Sequence, residues 1–331
     1  MENNFTMNIT AKASSAYEEL PISYPVRFWI YLLSEVISLP CCLFTLYQFL
    51  SNRNLREALN NHLIILILLI DLVLETFLFP LIIHYYRLDG NWQVSRPFSK
   101  LWSYTNFGFF PTQTIVFAWC TIERHILIFH NHWVSTTKKR ILIHYIPLIV
   151  IPLYCLIYYA VSVFYSYSIC EYVDVQSTVV GIYLPCFILI PIHFKVDLIL
   201  HQIIPILIII ISTFALFFRF LHQRVRMKQS LQWKKQRKLI IQVLSIFIIF
   251  GIFQFPWTIL QLCSLFGLSL DSLQVTQNFM FFFDCYVVFL FPFVCLATLP
   301  EIEKKFQIFY FWRKQQRTIV PAQVPNQNET Y

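Results

Sequence analysis

Charge and glycine are the scarcest ingredients of this sequence. Asp, Glu, Lys and Arg make up 13% of it and Gly only 5 of 331 residues, where soluble domains carry about 25% charge and about 7% Gly. So little charge cannot cover a water-exposed surface, and with 57% hydrophobic residues the composition is that of a membrane-embedded chain. P-loop, kinase and hydrolase signatures are missing. The few acids and histidines form no recognisable catalytic set, so the chain is read as a non-enzyme without cofactors. Its nine cysteines include no C-x-x-C pair and no His/Cys ligand spacing, which leaves a metal or redox centre without support. Most of them, such as Cys120, Cys155 and Cys295, fall inside apolar segments and read as small packing residues. Nucleic acid is excluded as a partner for a chain buried in lipid.

Long apolar runs are what the sequence has in abundance. Seven of them, near 26–50, 59–86, 100–129, 141–165, 198–221, 239–266 and 274–299, reach the roughly 20 residues that carry a helix across a bilayer. The expected fold is an all-α membrane protein, a seven-transmembrane helix bundle over residues 25–300. A polar tail, 1–24, precedes it. Over 301–331, Ile302, Phe306, Phe309 and Tyr310 recur at spacings of three and four, which predicts a short amphipathic eighth helix on the membrane surface.

An odd number of crossings puts the two ends on opposite sides, and basic residues choose between them. Arg53 and Arg56, then Lys138, Lys139 and Arg140, then the basic run from Arg219 to Lys238 occupy the first, third and fifth connections. Those connections are assigned to the cytosol, where they meet anionic lipid and an acidic partner, and the N-terminus to the outside. Sequons at Asn4 and Asn8 agree with a glycosylated outer tail. No short apolar core precedes a small-residue cleavage site, so the first apolar helix is expected to act as the signal. A multi-pass plasma-membrane protein follows.

Ionisable residues inside the spans demand a reason, because each costs roughly 2.5–3.5 kcal/mol at mid-bilayer. Asp71 lies about 18 Å past Leu59 along the second segment. Glu123-Arg124-His125 ends the third, and Asp284 stands eight residues before Pro292 in the seventh. Glu35 and Glu75 read as neutral or interface-directed carboxyls. Asn61 ten residues before Asp71-Leu72, Pro80, Glu123-Arg124-His125, Pro205, Phe250 with Pro256, and Pro292 together resemble the signature of the rhodopsin-like G-protein-coupled receptors. The resemblance covers about residues 25–313. It is that of a divergent member: His125 replaces a Tyr, Gln254 stands where the family has Trp, Phe291 replaces an Asn or Asp before Pro292, and Ser99 fills the place of an outer Cys.

The resemblance implies that Glu123, Arg124 and His125 form the coupling switch to a heterotrimeric G protein, with Arg124 held by Glu123 at rest and Pro256 and Pro292 as hinges. It implies a ligand pocket in the outer third, with Asn106, Phe107, Phe110, Gln254, Trp257, Gln261, Phe281 and Asp284 as candidates. Asn106 stands about 27 Å from Arg124, where amine receptors carry an Asp, so a peptide or other polar extracellular ligand is favoured over biogenic amines. Asp284 either meets a basic ligand or pairs with a neighbouring Gln or Tyr. The family's sodium ion at Asp71 is not expected, since Gln113, Val287 and Phe291 hold the matching positions; a protonated Asp71 or an Asp71–Gln113 pair is expected instead. With Ser99 unable to bridge, Cys170 and Cys186 either pair within the loop 167–196 or remain free thiols. The run Thr178 to Tyr183 reads as part of a hairpin lid or as an apolar run on the membrane. Two other functions stay open: a transporter or channel using Asp71, Glu75 and Asp284, against which stands the lack of an internal repeat, and a decoy receptor that binds without coupling.

Overall fold

The computed structural model describes residues 20–165, 178–226, 230–266 and 274–299. These residues contain seven long helices: α1 (Tyr24–Ser51), α2 (Leu59–Arg87), α3 (Arg96–Phe129), α4 (Thr137–Phe164), α5 (Pro191–Asp197 continuing into Ile204–Arg226), α6 (Ser230–Leu265) and α7 (Gln274–Asp284 continuing as Tyr286–Ala297). One hairpin of two short strands, β1 (Thr178–Val179) and β2 (Ile182–Tyr183), precedes α5. The helices close a ring in which α1 lies between α2 and α7, α6 lies between α5 and α7, and α3 packs against α2, α4 and α5.

Several helices start earlier than the apolar runs do. Pro97 occupies the first turn of α3 and Pro191 that of α5, positions where a missing N–H costs nothing and the fixed φ suits a helix. α4 begins at Thr137, where the Thr136 side chain accepts from the Lys139 amide. The polar turns so added lie ahead of the apolar runs, out of reach of an apolar-run reading. Three π-turns have a common cause. Leu74–Leu78 precedes Pro80, Ile141–Tyr145 precedes Pro147, and Leu198–Ile203 precedes Pro205. A proline ring clashes with the carbonyl four residues back, and a widened turn moves that carbonyl aside.

Six of the helices are long and apolar enough to cross a membrane. The exception corrects the expectation of seven apolar segments: α3 has 34 residues, about 51 Å, but its middle carries Ser103, Thr105, Asn106, Thr112, Gln113 and Thr114, all buried. It is wrapped by α2, α4 and α5, so these groups meet protein rather than lipid and its sequence need not be apolar. Trp102 and Arg124, two of the largest fully buried side chains, both belong to α3. The expected eighth helix, the sequons at Asn4 and Asn8, and Cys170 lie outside the described residues.

Candidate functional sites at the two ends of the bundle

The half of the bundle nearer the β hairpin holds a cavity of about 230 Å³. It brings together all eight pocket candidates: Asn106, Phe107 and Phe110 from α3, Gln254, Trp257 and Gln261 from α6, and Phe281 and Asp284 from α7. Trp257 and Phe281 pack with ring centroids 5.0 Å apart. Gln254 Nε2 donates to Thr114 Oγ1 at 3.1 Å, tying α6 to α3 across the floor. Pro256 lies within the continuous α6, between Gln254 and Trp257, which line the cavity. α7 breaks at Cys285, and Tyr31 of α1 donates to the Phe282 carbonyl at 2.7 Å.

One wall of this cavity escaped the sequence reading. Tyr159 from α4 and Asp197 and His201 from α5 line it. Tyr159 donates to Asp197 Oδ1 at 2.8 Å, the same oxygen lies 3.0 Å from His201 Nδ1, and His201 Nε2 lies 3.0 Å from the Tyr154 hydroxyl. The signal was present as the i, i+4 spacing of Asp197 and His201, which puts both on one helical face.

The β hairpin closes the α2–α3 side of the mouth. Val180 and Gly181 form its turn with φ of 54° and 78°, the left-handed pair that suits a two-residue hairpin. A side chain at Gly181 would meet Tyr85 at 3.2 Å and Ile82 at 3.3 Å. The hairpin is held by Tyr86 donating to the Val180 carbonyl at 2.6 Å, Ser103 to the Tyr183 carbonyl at 2.6 Å, and Tyr183 to the Trp92 carbonyl at 2.9 Å. Val179 reaches the cavity. Cys186 follows the hairpin and is disulfide-bonded, whereas seven other cysteines are free.

In mid-bundle, Gln113 Nε2 donates to Asp71 Oδ1 at 2.5 Å, and Asp71 Oδ2 has no partner. Glu75 bonds Ser38, which also reaches the Phe289 carbonyl at 2.9 Å. Val287 and Phe291 are buried apolar side chains and offer no oxygen at the positions matching the family's sodium ligands. Among the described residues no cluster of three His, Cys, Asp or Glu is placed to hold a metal ion.

At the end of the bundle opposite the hairpin, Arg124 is 1% exposed, far from the usual snorkelling helix-end Arg. Its Nη2 donates to the Asn60 carbonyl of α2 at 2.8 Å and to Gln242 Oε1 of α6 at 3.3 Å. Gln242 Nε2 in turn points to Cys295 Sγ of α7 at 3.9 Å. Arg124 thus latches α3 to α2 and α6, and Gln242 reaches α7 at Cys295, three residues beyond Pro292. Glu123 does not hold it, which corrects the expected Glu123–Arg124 pair. Successive helical residues point about 100° apart and cannot face each other, and Glu123 turns to His144 of α4. His144 Nε2 lies 2.8 Å from His62 Nδ1, and His62 Nε2 lies 2.8 Å from the Arg56 carbonyl. The carbonyl requires an N–H from His62 Nε2, so neutral His62 accepts at Nδ1 and His144 donates from Nε2. His125 points away from both networks and packs on Phe129 with ring centroids 5.0 Å apart.

The bundle of seven long helices agrees with what the comparisons find. No curated protein matches the chain. Residues 42–294, most of its length, match the model of the 7 transmembrane receptor (rhodopsin family), and the chain belongs to that family of membrane receptors.

Proposed function

We propose that the chain transduces binding of an extracellular ligand, a small polar molecule or the end of a peptide, to a cytosolic heterotrimeric G protein. The observation that carries this reading is the latch: a fully buried Arg124 hydrogen-bonded to both α2 and α6. A ligand bound better when α6 is displaced would draw Gln242 away from Arg124 and open a cleft at the inner face, a population shift between two packings of one bundle. Pro256 and Pro292 supply the bends about which α6 and α7 move, since each frees a carbonyl inside its helix. Glu123, held by His144, fixes the inner end of α3 against α4 while α6 moves, and His125 lies at the rim that the G protein would touch. Asp71 with Gln113 joins α2 to α3 midway between cavity and latch.

The basic inner connections and the sequons at Asn4 and Asn8 support an outside N-terminus and a plasma-membrane location. The cavity, at about 230 Å³, is smaller than the 300–1,000 Å³ of drug-sized sites; it suits a compact ligand or one or two side chains of a peptide. G-protein activation in cells tests the reading. Gln242→Leu, which removes one latch bond, is expected to raise the ligand-free signal, and Arg124→Ala to abolish it at equal surface expression. Silence of both the wild type and Gln242→Leu across all G-protein families would refute coupling and favour a decoy.

A further inference from the structure

We infer that the outer cavity selects a cationic ligand, an ammonium, amidinium or guanidinium group seated on Asp284. The inference rests on the reading of this cavity as the ligand site and adds the chemistry of its occupant. Buried polar groups are almost always hydrogen-bonded, and an orphan inside a cavity marks what a bound molecule must supply. Two such atoms stand at this wall. Asp284 is 7% exposed and its Oδ1 has no partner; Gln254 is 6% exposed and its Oε1 has none. Both are acceptors.

The orientation of Gln254 is set by its neighbour. Thr114 spends its one hydroxyl hydrogen on the Phe110 carbonyl at 3.2 Å, so toward Gln254 it can only accept, and Gln254 must present its NH₂. The amide oxygen is therefore the end left over. The remaining acid, Asp197, has Oδ1 engaged by Tyr159 and His201. None of the described residues lining the cavity is Lys or Arg, so no described side chain neutralises Asp284 from inside it. Aromatic faces of Phe107, Phe110, Trp257 and Phe281 complete the wall, a surround that favours a cation over an anion. The counter-charge comes from α7, not from α3, where Asn106 is neutral; an ammonium here would sit against the α6–α7 side of the cavity.

Charge selectivity can be read without knowing the ligand. A cysteine placed in the cavity by Phe281→Cys, or by Gln261→Cys as a second reporter, is alkylated from the outside in receptor held in nanodiscs. The probes are the trimethylammonioethyl, sulfonatoethyl and methyl methanethiosulfonates. Rates are normalised to a free thiol and to receptor without the reporter, because Cys285 also lines the cavity. A carboxylate sharing the cavity with the thiol is expected to give a cation-to-anion rate ratio on the order of 100-fold. Asp284→Asn is expected to cut that ratio at least tenfold, Asp284→Glu to retain it, and Asp197→Asn to change it less; Asp284→Ser serves if the Asn variant misfolds. A ratio near one while the neutral reagent reacts, or a ratio that Asp284→Asn leaves unchanged, overturns the cationic ligand and spares the cavity as a site. Failure of all three reagents to reach the cysteine overturns both readings, since the cavity would then be closed to the outside.

Discussion

Replacing His144 by Phe isolates the bond that the sequence assigned elsewhere. His144 and Glu123 have side chains 0% and 2% exposed, so their contact belongs with buried pairs, not with exposed ones worth less than about 1 kcal/mol. Phe preserves the ring's bulk and removes the partner of Glu123 Oε1, while Glu123 Oε2 has none already; His62 loses a partner as well. Removing one member of a buried pair costs about 3–5 kcal/mol, or roughly 6–20 °C in melting temperature at about 2–4 °C per kcal/mol for a large domain. The assay is thermal unfolding of the purified receptor in nanodiscs, run as two double-mutant cycles. Glu123→Gln with His144→Phe is expected to show a coupling of about 1.5–3 kcal/mol, and Glu123→Gln with Arg124→Ala less than about 0.5 kcal/mol. A larger coupling in the second cycle would refute the assignment and restore Glu123 to Arg124.

Gln113→Leu leaves both oxygens of Asp71 without a partner and is expected to lower stability by about 1–3 kcal/mol, with Asp71→Leu added in the double variant recovering most of it; thermal unfolding reads both. Val180 is a β-branched residue in the left-handed region, strained by on the order of 1 kcal/mol, so Val180→Asn should raise the melting temperature and Gly181→Val should lower it. Cys186→Ser removes a disulfide and should cost about 2–5 kcal/mol, seen as reduced surface expression and a lower melting temperature.

Much of the cavity was legible through the family resemblance. It placed Asn106 and Asp284 with six companions in one pocket, and the structure brings all eight to one cavity. Pairings between helices were less legible, since they depend on how each helix is rotated against its neighbours. Glu123 and His144 are 21 residues apart on different helices, and no periodicity links them. Sequence adjacency suggested Arg124 instead, although adjacent helical positions diverge. The Asp197–His201–Tyr159 wall was missed for a related reason: the apolar run that marks α5 begins only at 198, one residue after Asp197, so the polar turn ahead of it read as loop.

The polar character of α3 bears on how the protein is made. A segment is released from the translocon into lipid when its own residues favour hydrocarbon, and each Asn or Gln near its centre opposes that release. α3 falls short of the apolarity that the other six helices reach, so α1 and α2 can partition alone, but α3 needs the company of later helices to stay. Chains cut after Phe129 should therefore thread their third segment through to the lumen, while chains continuing beyond α4 and α5, which pack on it, should keep it. Assembly of this receptor is in that sense collective, with its most enclosed helix the last to become secure.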